Sequence, residues 1–345
     1  HLGINLGHNI PRRRPPLMKA YLNTLYVTTQ GAYLCKDGLN VVVRADHEER
    51  LRLPIHTISG IVCFGQVSCS PELMHFCAES NVGLSFLSES GRFLARVHGP
   101  VSGNVLLRRE QYRWADKKEK ALEVARSVVA AKINNSRMNL QRWLRNRAGP
   151  DVMVKIEIRK LADILAGIES CPDMERLRGL EGEAANGYFN VFDRLILQQK
   201  DAFQFSGRNR RPPLDRVNAL LSFVYVLLAS DMRAALESVG LDPFVGYLHV
   251  DRPGRASLAL DMMEEFRASF VDRLVLNLIN LKQVQKADFE TEGVEIRLTP
   301  EGRKIVLVAY QSRKKEVIEH PFLEEKMEIG LVFHTQARLL ARFIR

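Results

Sequence analysis

The sequence has no CxxC pair, and its five cysteines, Cys35, Cys63, Cys69, Cys77 and Cys171, are odd in number and scattered. This argues against a disulfide framework, a zinc ribbon or an iron–sulfur site, and it suits a reducing cytoplasm. There is no signal-peptide pattern, internal repeat or low-complexity tract. The longest apolar run, Ala219 to Ala229, is interrupted by Ser222 and reads as too short to span a bilayer, so no membrane partner is expected.

What is present is an ordinary globular composition: 345 residues, 46% apolar and 26% charged. That length is enough for two domains, each with its own core. The formal net charge is +10. Residues 1–17 carry three arginines and no acid before Met18, and read as a tag or vector remnant. With their charge set aside the balance is still basic, which favours a polyanionic partner without identifying one.

From Met18 to about His98 the apolar residues recur with a period close to two. Ala32–Cys35 and Leu39–Val43 flank Lys36-Asp37-Gly38, a hairpin turn signal. Further strand-like runs are Arg50–Leu53, Gly60–Phe64, Gly83–Leu87 and Phe93–Val97, and only Pro71–Ser80 looks helical. Residues 99–103, Gly-Pro-Val-Ser-Gly, form a breaker cluster and a candidate linker. Beyond it the period is helical, with candidate helices at 104–116, 117–147, 153–168, 181–199, 214–238, 257–284 and 324–343. The stretch 294–309 reads as a hairpin in which VEIRL and KIVLVAY flank Thr299-Pro300-Glu301-Gly302. The expected class is α+β: a small β-rich N-terminal domain (18–98) followed by a larger all-α C-terminal domain (104–345).

Three segments of the helical part offer hard metal ligands beside turn residues. Glu181 sits between Gly179 and Gly182, and its structural alternative is a first-turn acid that complements a helix dipole. His249 ends an apolar stretch just before Asp251-Arg252-Pro253-Gly254, where a lone histidine is more often a satisfied structural residue than a ligand. Asp261 and Glu264 lie three apart on one helix face, with Glu265 geometrically almost as well placed as Glu264. Two carboxylates so close repel unless a cation or proton lies between them, and the alternative is a solvated acidic face.

The order of motifs gives these residues context. Gly-x-Glu-Gly is followed by Arg-x-Arg-Arg-Pro-Pro-x-Asp-x-x-Asn, then by Gly-Leu-Asp-Pro-x-x-Gly-x-Leu-His, then by Ser-Leu-x-x-Asp-x-x-Glu. In this order the chain closely resembles the universal CRISPR-associated spacer-acquisition endonuclease/integrase, from Met18 to its last residue. Details of the sequence resemble the variant found with type I-C systems. The resemblance implies a homodimer, and two such dimers bridged by a small ferredoxin-like acquisition partner. It implies an Mg²⁺ or Mn²⁺ site on Glu181, His249 and Glu264, with Asp261 also in the active site. Some relatives have Asp at the position of Glu264, which leaves open whether Glu264 or Asp261 is the closer ligand.

The activity implied is attack of the 3′-hydroxyl of an incoming double-stranded DNA fragment on a phosphodiester at the edge of a CRISPR repeat. Water in place of that hydroxyl gives endonuclease activity, and an end-trimming nuclease is a further candidate partner. Candidate phosphate contacts are the loop of Arg208, Arg210 and Arg211; Arg252 and Arg255 after the histidine; Arg267 after the acidic turn; and Arg108, Arg109 and Arg113 near the domain junction. Tyr188 reads as packing or a phosphate contact. Two alternatives remain: a non-catalytic DNA-binding scaffold, and a metal-dependent RNase or junction nuclease that does not integrate.

Overall fold

A computed structural model describes residues 24–345 apart from 47, 59, 81, 90–92, 98–104, 147–148 and 210–211. The proposed tag remnant and the 99–103 linker lie outside the described residues, as do Arg210 and Arg211.

The N-terminal part is made of strands β1 (Thr24–Val27), β2 (Tyr33–Asp37), β3 (Asn40–Ala45), β4 (Glu48–Pro54), β5 (Gly60–Phe64) and β6 (Ser68–Cys69), helix α1 (Pro71–Glu79), and strands β7 (Gly83–Leu87) and β8 (Phe93–Val97). They form two four-stranded sheets, in orders β4-β3-β2-β6 and β1-β5-β7-β8. The turn signal is read correctly: Asp37 pairs with Asn40, and Gly38 takes the positive φ of 57° that a two-residue loop needs. Helix α1 starts where sequence rules place it, with Ser70 accepting from the Leu73 amide and Pro71 in the first turn.

Strand β5 has no solvent face. Ile61 and Cys63 pack into a core with Leu34, Leu73 and Leu84, whereas Val62 and Phe64 face the other way into the core of the helical part. There Phe64 meets Phe223, with ring centroids 6.0 Å apart. Near this seam Arg96 of β8 pairs with Glu237 at 2.8 Å.

The remaining elements are α2 (Val105–Asp116), α3 (Lys118–Arg145), α4 (Val152–Gly167), α5 (Met174–Asn190), α6 (Arg216–Ser238), α7 (Ser257–Phe266), α8 (Arg273–Asn280), β9 (Phe289–Glu292), β10 (Glu295–Leu298), α9 (Pro300–Lys314), β11 (Val317–Glu319), β12 (Lys326–Glu328) and α10 (Ile329–Ile344). The C-terminal part is therefore mostly helical but carries two small hairpins, β9–β10 and β11–β12.

Several boundaries differ from expectation; the helix expected at 324–343, for one, starts at Ile329 behind strand β12. The hairpin at 294–309 is half right: EIRL pairs with FETE ahead of it, while KIVLVAY lies in α9. Thr299-Pro300 is not a hairpin turn. The Thr299 hydroxyl accepts from the Gly302 amide and caps the helix, and Val306, Leu307 and Tyr310 form its buried face. Helix α5 starts at Met174, with Asp173 capping the Arg176 amide at 2.8 Å, so Glu181 lies seven residues inside it. The expected helix 257–284 is divided by a π-turn at Arg267–Asp272.

Helix α6 also corrects the apolar-run reading. Taken whole, it is long and apolar enough to cross a membrane. Its Val217, Leu220, Leu221, Val224 and Leu228 are instead wholly buried, and the helix packs against α7, α10 and the Arg267–Asp272 turn as the core helix of this part.

Candidate metal centre

Four elements bring the acidic residues together: α3, α5, the 241–250 loop and α7. The loop is tied down first. Buried Gln111 of α2 donates to the carbonyls of Asp242 (2.8 Å) and Val245 (3.0 Å) and accepts from the Asp242 amide (2.9 Å). Arg178 of α5 donates to the Leu248 carbonyl through Nε (3.0 Å) and Nη2 (2.7 Å). Gly246 is required by crowding. A Cβ there would lie 2.8 Å from Ser257 Cβ and 2.9 Å from Asp261 Oδ2.

Asp261 is fully buried and committed to this loop. Its Oδ2 accepts from the amides of Tyr247 (2.6 Å) and Leu248 (3.0 Å), and its Oδ1 accepts from the amide (3.0 Å) and Nδ1 (2.6 Å) of His249. A carboxylate accepts, so Nδ1 donates to Asp261, and Nε2 faces Glu264 Oε1 at 3.9 Å. This is the posture of a ligating imidazole with a carboxylate behind it.

Glu264 is 3% exposed and flanked by cations. Arg267 lies 3.0 Å from Oε1, and Lys132 of α3 lies 2.7 Å from Oε2. Lys132 is thus the charged partner of this buried oxygen. The same ammonium contacts Glu181 Oε1. Burial works to raise the Glu264 carboxyl, but the charges of Arg267 and Lys132 outweigh it and hold it at about 2. Glu265 takes no part: it turns to α10 and accepts from Gln336 at 2.8 and 2.9 Å.

Thus Glu181, His249, Asp261 and Glu264 converge as the sequence suggests, but with different tasks. The dipole alternative for Glu181 loses its basis, since the residue lies beyond the first turn of α5. Asp261 has its oxygens filled by the loop, which leaves Glu264 as the candidate ligand on α7. The donor set, two carboxylates and one imidazole Nε2, suits Mg²⁺ or Mn²⁺. Among the described residues no three acid, histidine or cysteine side chains stand ready to hold a metal ion. The Lys132 ammonium, inserted between Glu181 and Glu264, occupies the position a cation would take. The residues fit the ion, provided that ammonium withdraws.

The arginines divide into two groups. Arg208 and Arg267 are turned inward, with guanidinium carbons 5.3 and 4.8 Å from the Tyr225 ring centroid. Arg208 further donates to the Asn209 carbonyl (2.6 Å) and Asn218 Oδ1 (2.5 Å), which fastens the loop to α6. Arg109, Arg113 and Arg252 are exposed, while Arg108 and Arg255 are half-buried. Arg113 is paired with Glu110 at 3.0 Å. Tyr188 is a packing residue, 2% exposed, whose hydroxyl accepts from Asn139 at 2.8 Å.

Sequence reasoning missed Lys132, Arg178 and Gln111 as parts of this site. Arg178 carried a signal, since it stands one helical turn before Glu181. Lys132 carried none, because it meets Glu181 across 49 residues of chain.

Residues 25–312 match the family described as CRISPR associated protein Cas1. The chain is 53% identical over 333 residues to the CRISPR-associated endonuclease Cas1 1 of Chlorobaculum tepidum, covering 95% of this chain and 96% of that one. It is 34% identical over 335 residues to a CRISPR-associated exonuclease Cas4/endonuclease Cas1 fusion of Rhodospirillum rubrum, covering 96% of this chain and 57% of the fusion. The solved structure of a casposase bound to integration product shares the fold, with a TM-score of 0.79 at 25% identity over 93% of this chain and 90% of that one. From the extent of the family match and the identity to these relatives, the chain belongs to the Cas1 family of CRISPR associated proteins.

Proposed function

We propose that this protein is a divalent-metal-dependent DNA endonuclease and integrase that joins the 3′-hydroxyl of a DNA fragment to a phosphodiester at a CRISPR repeat. The observation that carries the reading is the convergence of Glu181, Glu264 and an Asp261-oriented His249 on one point. The curated relative from Chlorobaculum tepidum, named an endonuclease, and the casposase bound to its integration product support the same class of chemistry.

Glu181, His249 and Glu264 would hold Mg²⁺ or Mn²⁺, which would supply Lewis-acid polarisation and charge stabilisation for phosphodiester chemistry. The chain's own residues prepare for this. Asp261 fixes the His249 ring so that Nε2 faces Glu264. Arg267 holds Glu264 and keeps its carboxyl ionised. Arg178 holds the histidine loop against the helix of Glu181. Exposed arginines such as Arg109 and Arg252 bind DNA phosphates without reading sequence. We further propose a cytoplasmic homodimer, two of which are bridged by a small ferredoxin-like acquisition partner. The fusion relative supports an exonuclease of the Cas4 kind as the end-trimming partner.

The test is strand transfer of a fragment with free 3′-hydroxyl ends into a supercoiled plasmid bearing a repeat, with the bridging partner present. Joined product is expected with Mg²⁺ or Mn²⁺, and none after chelation or with Glu181→Ala. Undiminished joining by Glu181→Ala would refute the assignment, and cutting without joining would favour a nuclease that does not integrate.

A further inference from the structure

Three carboxylates, those of Glu181, Glu264 and Asp261, stand at the site with two cations, Lys132 and Arg267. The Lys132 ammonium lies 2.7 Å from Glu264 Oε2 and also contacts Glu181 Oε1, so it stands where an ion shared by these two carboxylates would stand. Two cations at one place, beside a Glu264 that is only 3% exposed, repel strongly, so entry of the ion requires a resident cation to leave.

The two cations differ in how they are held. Arg267 is 3.0 Å from Glu264 and stacked over the Tyr225 ring, which bears Arg208 as well. A planar guanidinium both stacked on a ring and paired with a carboxylate is held by two kinds of contact. Lys132 is a compact ammonium on a flexible four-carbon stem, and its ion pairs among the described residues are with the two carboxylates.

We propose that the Lys132 ammonium is an exchangeable counter-ion of the Glu181–Glu264 pair, holding the carboxylates together in the metal-free protein and yielding its place to the divalent ion. This rests on the metal-centre reading above. It makes Lys132 a positioning residue that competes with the metal: the free protein folds with the repulsion between Glu181 and Glu264 relieved, and the affinity for the ion is set below what the ligands alone would give.

The experiment is Mn²⁺ titration of DNA-free protein by calorimetry, comparing wild type with Lys132→Met and Lys132→Gln, each also in a Glu181→Ala background to define binding at this site. Both substitutions should tighten Mn²⁺ binding on the order of tenfold, the equivalent of about 1.4 kcal/mol. Metal-free Lys132→Met should melt below wild type, and saturating Mn²⁺ should raise its melting temperature by more. Lys132→Gln keeps an amide donor for the carboxylates and serves if the methionine variant does not fold. In wild type, the side-chain resonance of Lys132 in protein with isotope-labelled lysine should shift on saturation with Mg²⁺. Unchanged or weaker Mn²⁺ affinity in the variants, or a Lys132 resonance indifferent to Mg²⁺, overturns the proposal and leaves the metal centre standing. Wild-type binding no better than that of Glu181→Ala overturns both.

Discussion

Asp261 and Glu264 stand one turn apart on α7, and their surroundings give them different work. Asp261 is filled by three backbone amides and a ring N–H, whereas Glu264 is flanked only by cations. The sequence shows two acids on one face and the repulsion between them, but not the cations that relieve it. Taken alone, that repulsion implies that any of the acids could be deleted with little effect on folding; the structure separates them. Glu264→Ala strands Lys132 and Arg267 with one fewer partner at a site of 3% exposure, and a buried pair broken in this way costs about 3–5 kcal/mol. The Glu181 side chain is 26% exposed, so water can take over its share of the ammonium. Both substitutions should abolish strand transfer, but metal-free Glu264→Ala should melt clearly lower than Glu181→Ala in thermal denaturation. Equal melting temperatures would show that the Lys132 and Arg267 contacts do not hold the folded state.

At the scale of elements, legibility followed how local the signal was. Strand β7 and helix α1 were readable because alternation and an N-cap are local properties. Helix α9 was misread because apolar residues at 305–309 alternate poorly with either period, and the capping role of Thr299 outranked its turn-like look. The start of α5 was missed although Asp173 is a legitimate cap, because the apolar periodicity of its first two turns is weak. The loop 241–250 was readable as a motif but not as a mechanism. Its position depends on Gln111 and Arg178, which lie 131 and 70 residues away from the groups they hold. Arg178→Met removes two charge-assisted bonds to the Leu248 carbonyl, together worth about 1.5–3 kcal/mol. The variant should lose strand-transfer activity while remaining folded at ambient temperature, as circular dichroism would record. Full activity would mean that the loop holds its place without α5.

At the scale of the whole molecule, the basic charge anticipated an anionic partner but could not sort the arginines. Arg208 and Arg267 are structural supports, while Arg109 and Arg252 face solvent. The seam between sheet and helices also carries an acid sensitivity that composition does not reveal. His334 of α10 lies beside a cavity of about 460 Å³ at this seam, with Nδ1 3.3 Å from Ser238 Oγ. Burial pushes its pKa down from 6.5 to about 4, with Asp231 opposing and Lys314 assisting. Between those values the unfolded chain binds a proton that the folded chain refuses. Stability is therefore complete above about 6.5 and falls as the pH drops toward 4, by at most about 3 kcal/mol. His334→Gln should lose less of its melting temperature than wild type between neutral pH and about pH 4. An identical loss would remove this ring from the acid response.

Strand β5 has a further consequence. Because Ile61 and Cys63 belong to one core and Val62 and Phe64 to the other, neither half can come apart without stripping a wall from its neighbour. The chain looks like two domains, yet its halves should share one fate under heat or denaturant, because each loses part of its core when the other opens. A change as remote from the acids as Ile61→Ala is then felt by every helix that carries them, through the population of open molecules and without any movement of the site itself.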